Sequence, residues 1–79
     1  MENLTLVIPA KYESSSLPIV LKELENFNVK KIVVIPSYDH LTRDAIKNFE
    51  CEIVEQQGEG FGNALIEGIN KVQTKYLCI

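Results

Sequence analysis

Residues 4–10 read Leu4-Thr5-Leu6-Val7-Ile8-Pro9-Ala10, and they indicate the fold class. Its side chains are apolar or β-branched almost throughout, which is typical of a strand buried on both faces at the centre of a parallel sheet. Pro9 has no backbone N–H and therefore predicts the end of the strand. Because ligands bind at the carboxyl ends of the strands in open α/β sheets, we expect the loop over residues 9–16 to form one wall of a binding site.

Strand and helix patterns alternate along the rest of the chain. Apolar residues at helical spacing predict helices that begin near residues 16, 39 and 60, with Ser16 and Asp39 as N-caps of the first two. β-Branched runs predict strands over 31–35, 51–54 and 76–79, and Pro36 ends the first of these. Such an order predicts a parallel four-stranded sheet with helices on both faces, a Rossmann-like three-layer α/β/α fold.

The periodicity also predicts which helix faces are buried. The third helix carries Gly68 on its buried face, where a missing side chain lets the helix approach the sheet closely, and a solvent-side pair of Glu67 and Lys71. The predicted core residues of the three helices are Leu17, Val20, Leu21 and Leu24, then Leu41, Ala45, Ile46 and Phe49, then Phe61, Leu65, Gly68, Ile69 and Val72.

Length and composition limit the function classes. Seventy-nine residues with 46% hydrophobic and 24% charged side chains indicate one small globular domain. Eight basic and eleven acidic residues give a net charge of −3 without a basic cluster, which argues against nucleic acid as a partner. The apolar runs are far shorter than the ~20 residues that span a bilayer, and the first residues do not resemble a secretion signal. A cytoplasmic location is the expectation.

Few residues suit a metal site or nucleophilic catalysis. Cys51 and Cys78 lie in apolar strand patterns and are expected to be free, buried thiols. His40 and the serines at 14–16 have no identifiable catalytic partner, so turn and capping roles explain them better. We predict no catalytic residue and no metal ligand in this chain.

Two stretches remain as candidates for binding. The turn from Pro9 to Glu13 follows the central strand. The Glu13 carboxylate can accept a hydrogen bond from a donor group of a base or a sugar. Residues 60–62, Gly-Phe-Gly, open the third helix, where glycine lets backbone N–H groups approach an anion and the helix N-terminus adds a partial positive charge. Neither a Walker loop nor a dinucleotide fingerprint is present.

These residues resemble the N-terminal half of a family 2 glycosyltransferase of the dolichyl-phosphate-mannose-synthase-like type. That family's first strand ends in Val-Ile-Pro-Ala-Tyr-Asn-Glu, where this chain has Val-Ile-Pro-Ala-Lys-Tyr-Glu at 7–13. Its third helix opens with Gly-x-Gly-x-Ala-Leu-x-x-Gly-Ile, which residues 60–69 match in full. Residues 75–79 look like the family's fourth strand, cut before its Asp-x-Asp metal motif.

The resemblance implies a nucleotide-diphospho-sugar transferase fold with sheet order 3-2-1-4. It also implies that a nucleotide-diphosphate sugar lies over the carboxyl ends of the first and fourth strands, with Mg2+ or Mn2+ in the complete enzyme and none bound by this chain alone. The residues expected to bind the donor, or to lie close to it, are Pro9, Ala10, Glu13, Asp39, Gly60, Gly62 and Asn63.

The chain departs from the family in places. Residues 36–39 read Pro-Ser-Tyr-Asp where the family has Asp-Asp-Gly-Ser, so the acidic contact with the nucleotide is lost or shifted onto Asp39. Lys11 and Tyr12 replace the usual Tyr-Asn, and Phe61 replaces a frequent lysine. The metal motif and the general base would follow Ile79, so we expect residues 1–79 to be a single incomplete domain that binds the donor without catalysing transfer.

Two alternatives stay open. A small non-catalytic α/β module could self-associate through its exposed fourth strand, and a sugar nucleotidyltransferase is disfavoured because the first loop lacks a glycine-rich, arginine-bearing signature. The sequence leaves donor base, sugar, acceptor and membrane association undetermined.

Overall fold

The computed structural model describes residues 3–74 and 76–78, apart from the side chains of Phe61 and Cys78. Strands and helices alternate as predicted. None of the helices in these residues is long and apolar enough to cross a membrane. The elements are β1 (Leu4–Pro9), α1 (Leu17–Leu24), β2 (Lys30–Pro36), α2 (His40–Ile46), β3 (Glu52–Gln56), α3 (Phe61–Ile69) and β4 (Tyr76–Cys78).

The four strands form one parallel sheet in the order β3-β2-β1-β4, which confirms the predicted sheet. Val7 of β1 lies opposite Ile32 of β2, and β1 also pairs with β4, so the first strand is an inner strand. The third strand extends to Gln56, two residues beyond its predicted end, because Gln56 still pairs with Pro36.

Side chains of β2 alternate between the two faces of the sheet. Val33 and Ile35 pack against α1 and α2 in a core that includes Ala10, Leu17, Leu21 and Ile46. Ile32 and Val34 pack on the other face with Val7 of β1 and Ala64 of α3. Helices therefore cover both faces, as the strand–helix alternation predicts.

The close approach of α3 to the sheet confirms the prediction for Gly68. A Cβ built on Gly68 would lie 2.9 Å from Cγ2 of Val34 and still closer to Cγ1 of Val7. Of the other predicted core residues on α3, Ile69 and Val72 pack against this face, whereas the side chain of Phe61 lies outside the described residues.

Several local predictions are wrong. Val20 and Leu41 are exposed, because α1 and α2 turn Leu21 and Ile46 toward the sheet instead. The side chain of Ser16 does not cap α1; its hydroxyl donates to the Glu13 carboxylate. Glu67 does not form an ion pair with Lys71 among the described residues, since its carboxylate accepts from backbone N–H groups elsewhere.

Candidate functional site

A cleft of about 730 Å3 lies at the carboxyl ends of β1, β2 and β3. Parallel strands bring these ends to one edge of the sheet, so loops that are far apart in the sequence face each other there. The lining residues come from the loop after each strand and from the start of α3: Pro9, Ala10, Lys11, Glu13, Pro36, Ser37, Tyr38, Gln56, Gln57, Gly58, Glu59, Gly60 and Ala64.

Two prolines line the cleft. Pro9 and Pro36 are the last residues of β1 and β2, and a proline at that position supplies no N–H to continue the ladder. The N–H of Ala10 still donates to the carbonyl of Val34 at 2.9 Å, after which the chain leaves the sheet. The β1–α1 loop over residues 10–16 thus begins at a fixed point beside the cleft.

The β1–α1 loop is bonded to the start of α2 through backbone N–H groups. The N–H of Tyr12 donates to Oδ2 of Asp39 at 2.6 Å, and the N–H of Glu13 donates to Oγ1 of Thr42 at 3.0 Å. The hydroxyl of Thr42 in turn donates to Oδ2 of Asp39 at 2.7 Å. Asp39 also caps α2 as predicted, because its Oδ1 accepts from the N–H of Thr42.

The Asp39 carboxylate is held in its charged form. Burial alone would raise the pKa of Asp39, but the N–H of Tyr12 and the hydroxyl and N–H of Thr42 outweigh burial and leave the pKa below its usual value. The unfolded chain therefore binds a proton at Asp39 more tightly than the folded chain does. At neutral pH both are deprotonated, and the charged carboxylate contributes its full stabilisation to the fold. Its contribution is lost as the pH falls through the lowered pKa.

Lys11 and Tyr38, which line the cleft, lie beside the ring of Tyr12. The rings of Tyr12 and Tyr38 are tilted at 49° with their centroids 6.1 Å apart. Nζ of Lys11 lies 5.6 Å from the Tyr12 centroid and 5.9 Å from the Tyr38 centroid. A hydrogen bond with Tyr38 raises the pKa of Lys11 above its usual value.

The opposite wall is the loop between β3 and α3. The Glu67 carboxylate accepts from the N–H of Gln57 at 2.6 Å and from the N–H of Gly58 at 2.9 Å, which lowers the pKa of Glu67. Gly60 has φ 88° and ψ 160°, a backbone conformation that only glycine adopts readily. Its carbonyl accepts from the Gln56 side chain at 3.0 Å, and no side chain caps α3.

The predicted binding residues divide into two groups. Pro9, Ala10, Glu13 and Gly60 line the cleft together, although they come from two separate stretches of the chain. Asp39, Gly62 and Asn63 do not line it. The Asp39 carboxylate is buried and engaged with the β1–α1 loop, Gly62 is exposed on α3, and Nδ2 of Asn63 donates to the Glu59 carbonyl.

Other residues of the site were not predicted from the sequence. Gln56, Gln57 and Glu59 line the cleft, and Glu67 fixes one wall of it. The position of Gln57 and Glu59 directly after β3 is the sequence signal for this wall, because any loop that follows a parallel strand reaches the same edge. The bonds of Glu67 to Gln57 and Gly58 leave no sequence pattern.

A second cavity, of about 580 Å3, lies at the opposite, amino-terminal edge of the sheet. Cys51 lines it together with Lys31 and Thr74. Cys51 is free and half-buried, and burial raises the pKa of its thiol above the usual value. The side chain of Cys78 lies outside the described residues.

The described part of the chain does not fit a metal ion. Within residues 3–74 and 76–78, no three or more His, Cys, Asp or Glu side chains come together as ligands. The carboxylates nearest the cleft, Glu13 and Glu59, stand on different loops.

Comparison with protein-family models, curated proteins and solved structures finds no significant match to this chain.

Proposed function

We propose that this chain is the donor-binding part of a glycosyltransferase and that its cleft binds a nucleotide-diphosphate sugar. The observation that carries the proposal is the meeting of Pro9, Ala10 and Glu13 with Gly60 around one cleft. These residues belong to the two stretches that resemble the family 2 enzymes, and the resemblance implies that both contact the same donor.

The chemistry of the cleft supports a ligand with an aromatic base, hydroxyl groups and phosphates. The Tyr38 ring, which is 57% exposed, offers a face on which a base can stack. The Glu13 and Glu59 carboxylates are acceptors for sugar hydroxyls. The Lys11 ammonium in the lining favours the diphosphate, and so does the uncapped N-terminus of α3, which begins directly after Gly60 of the lining.

Binding is the role that we assign to this chain. Transfer of a sugar needs stabilisation of the leaving diphosphate and a base for the acceptor hydroxyl. Within residues 3–74 and 76–78, no three or more His, Cys, Asp or Glu side chains come together to hold a metal that could stabilise the diphosphate.

Calorimetry with UDP, GDP, ADP, CDP and dTDP tests the proposal, with Mg2+ or Mn2+ present. We expect saturable binding of at least one nucleotide. Gly62 does not line the cleft, but it lies in the first turn of α3, so Gly62→Val is expected to weaken that binding by blocking approach to the backbone there. Nothing lies within 4 Å of a Cβ at Gly62, so the variant is expected to fold. Unchanged affinity in folded Gly62→Val would refute the role of that residue, and no affinity for any of these nucleotides would refute the function.

One observation favours the second candidate function, a non-catalytic interaction module. In the sheet order β3-β2-β1-β4, the last strand lies at an edge, and both Tyr76 and Leu77 on it are exposed. A monodisperse dimer in size-exclusion chromatography with light scattering, combined with no nucleotide affinity, would favour this function over donor binding.

A further inference from the structure

The Asp39 carboxylate makes more hydrogen bonds than a helix cap requires. Only 4% of the residue is exposed, and its Oδ1 accepts the capping bond from the N–H of Thr42. Its Oδ2 accepts two further bonds, from the hydroxyl of Thr42 and from the N–H of Tyr12 in the β1–α1 loop. The 2.6 Å bond to Tyr12 does not cap α2. It connects Asp39 to the β1–α1 loop and therefore stabilises the loop.

Tyr12 is the one residue other than glycine that has a positive φ among those described, at 57°. Side chains with a Cβ adopt this left-handed backbone only at a cost in energy. A hydrogen bond from its N–H to a buried, charged carboxylate is of the strong kind that can offset that cost. The conformation of Tyr12 is therefore coupled to Asp39, a residue far away in the sequence.

The backbone of Tyr12 sets where its neighbours point. Lys11 precedes the left-handed residue, and Glu13 follows it with its own N–H bonded to Thr42. We propose that Asp39 is a positioning residue: it holds Tyr12 in the left-handed conformation and so places the Lys11 ammonium against the rings of Tyr12 and Tyr38 at the cleft. Asp39 acts from beneath the loop and does not touch the ligand.

Nuclear magnetic resonance without any ligand tests this role. In the unmutated chain, the methylene protons next to Nζ of Lys11 are expected to be displaced from the chemical shift of a free lysine, because ring currents of Tyr12 and Tyr38 act on them where Nζ lies 5.6 and 5.9 Å from the two centroids. Asp39→Ser keeps an oxygen that can cap α2, but its side chain is too short to reach Tyr12 as well. We expect this displacement of the Lys11 shift to be lost in Asp39→Ser, while amide resonances of α2 stay near their native positions.

Asp44→Ser is the matched control, because Asp44 is an exposed aspartate on the same helix. It is expected to keep the Lys11 shift in full. A Lys11 shift that is as large in folded Asp39→Ser as in the unmutated chain would overturn the proposal. Should Asp39→Ser not fold, amide exchange in the unmutated chain decides: slow exchange at Tyr12 supports the bond to Asp39, and exchange as fast as in an open loop overturns it.

The consequence for binding rests on the proposed function. If the cleft binds a nucleotide diphosphate, Asp39→Ser is expected to lower the affinity roughly tenfold, whereas Asp44→Ser leaves it unchanged. The two proposals can fail separately. Absence of nucleotide binding by the unmutated chain overturns the function, and the ligand-free Lys11 shift still decides the role of Asp39.

Discussion

Replacing Gly68 by alanine is expected to destabilise the protein strongly, although alanine normally favours a helix. The new Cβ would press on Val34 and, more closely, on Val7, and both valines are buried inside the sheet–α3 layer. Overpacking of this kind costs about 1–3 kcal/mol. Domains of this size have roughly 0.05–0.15 kcal/mol of stability per residue, so the loss is a large share of the total. Urea unfolding followed by circular dichroism measures it.

Gly62→Ala is the control for this prediction because it makes the same change in the same helix. A Cβ at Gly62 meets no atom within 4 Å, so only helix propensity is expected to act, and it favours alanine by up to about 1 kcal/mol. Equal urea midpoints for Gly68→Ala and Gly62→Ala would contradict the close packing of α3 on the sheet. Gly68→Val is expected to lose more stability than Gly68→Ala.

The second large effect concerns α2. Ile46 is completely buried in the core between α1, α2 and the sheet, and Ile46→Ala is expected to cost about 2–5 kcal/mol through lost burial and a cavity. Leu41 on the same helix is 75% exposed, so Leu41→Ala is expected to change stability by no more than about 0.5 kcal/mol. Urea unfolding of both variants provides the comparison. A larger loss for Leu41→Ala than for Ile46→Ala would mean that α2 is rotated relative to the sheet.

Hydrophobic periodicity predicts the elements of this fold better than it predicts their faces. Apolar and β-branched runs that end at Pro9 and Pro36 predict the first two strands. Their alternation with helices then predicts a parallel sheet. Leu41 fits the apolar spacing of α2 as well as Ile46 does. In a helix of only two turns, a small rotation decides which of them faces the sheet, and the sequence does not contain that angle.

The site was predictable at the level of loops but not of side-chain bonds. Residues that follow parallel strands meet at one edge, which is why Glu13 and Gly60 could be expected together. Asp39 illustrates the limit. Its sequence position suits both a helix cap and a ligand contact, and the choice depends on where the N–H of Tyr12 lies. That position follows from the tertiary structure, as do the bonds of Glu67 to the β3–α3 loop.

Donor binding in the cleft can be followed by residue-resolved amide shifts during titration with nucleoside diphosphates. Binding there is expected to give saturable shifts at Ala10, Glu13 and Gly60, with little change at Lys31 and Cys51 at the opposite edge of the sheet. Shifts confined to that opposite edge, or no shifts with any nucleotide at millimolar concentration, would contradict donor binding in this cleft.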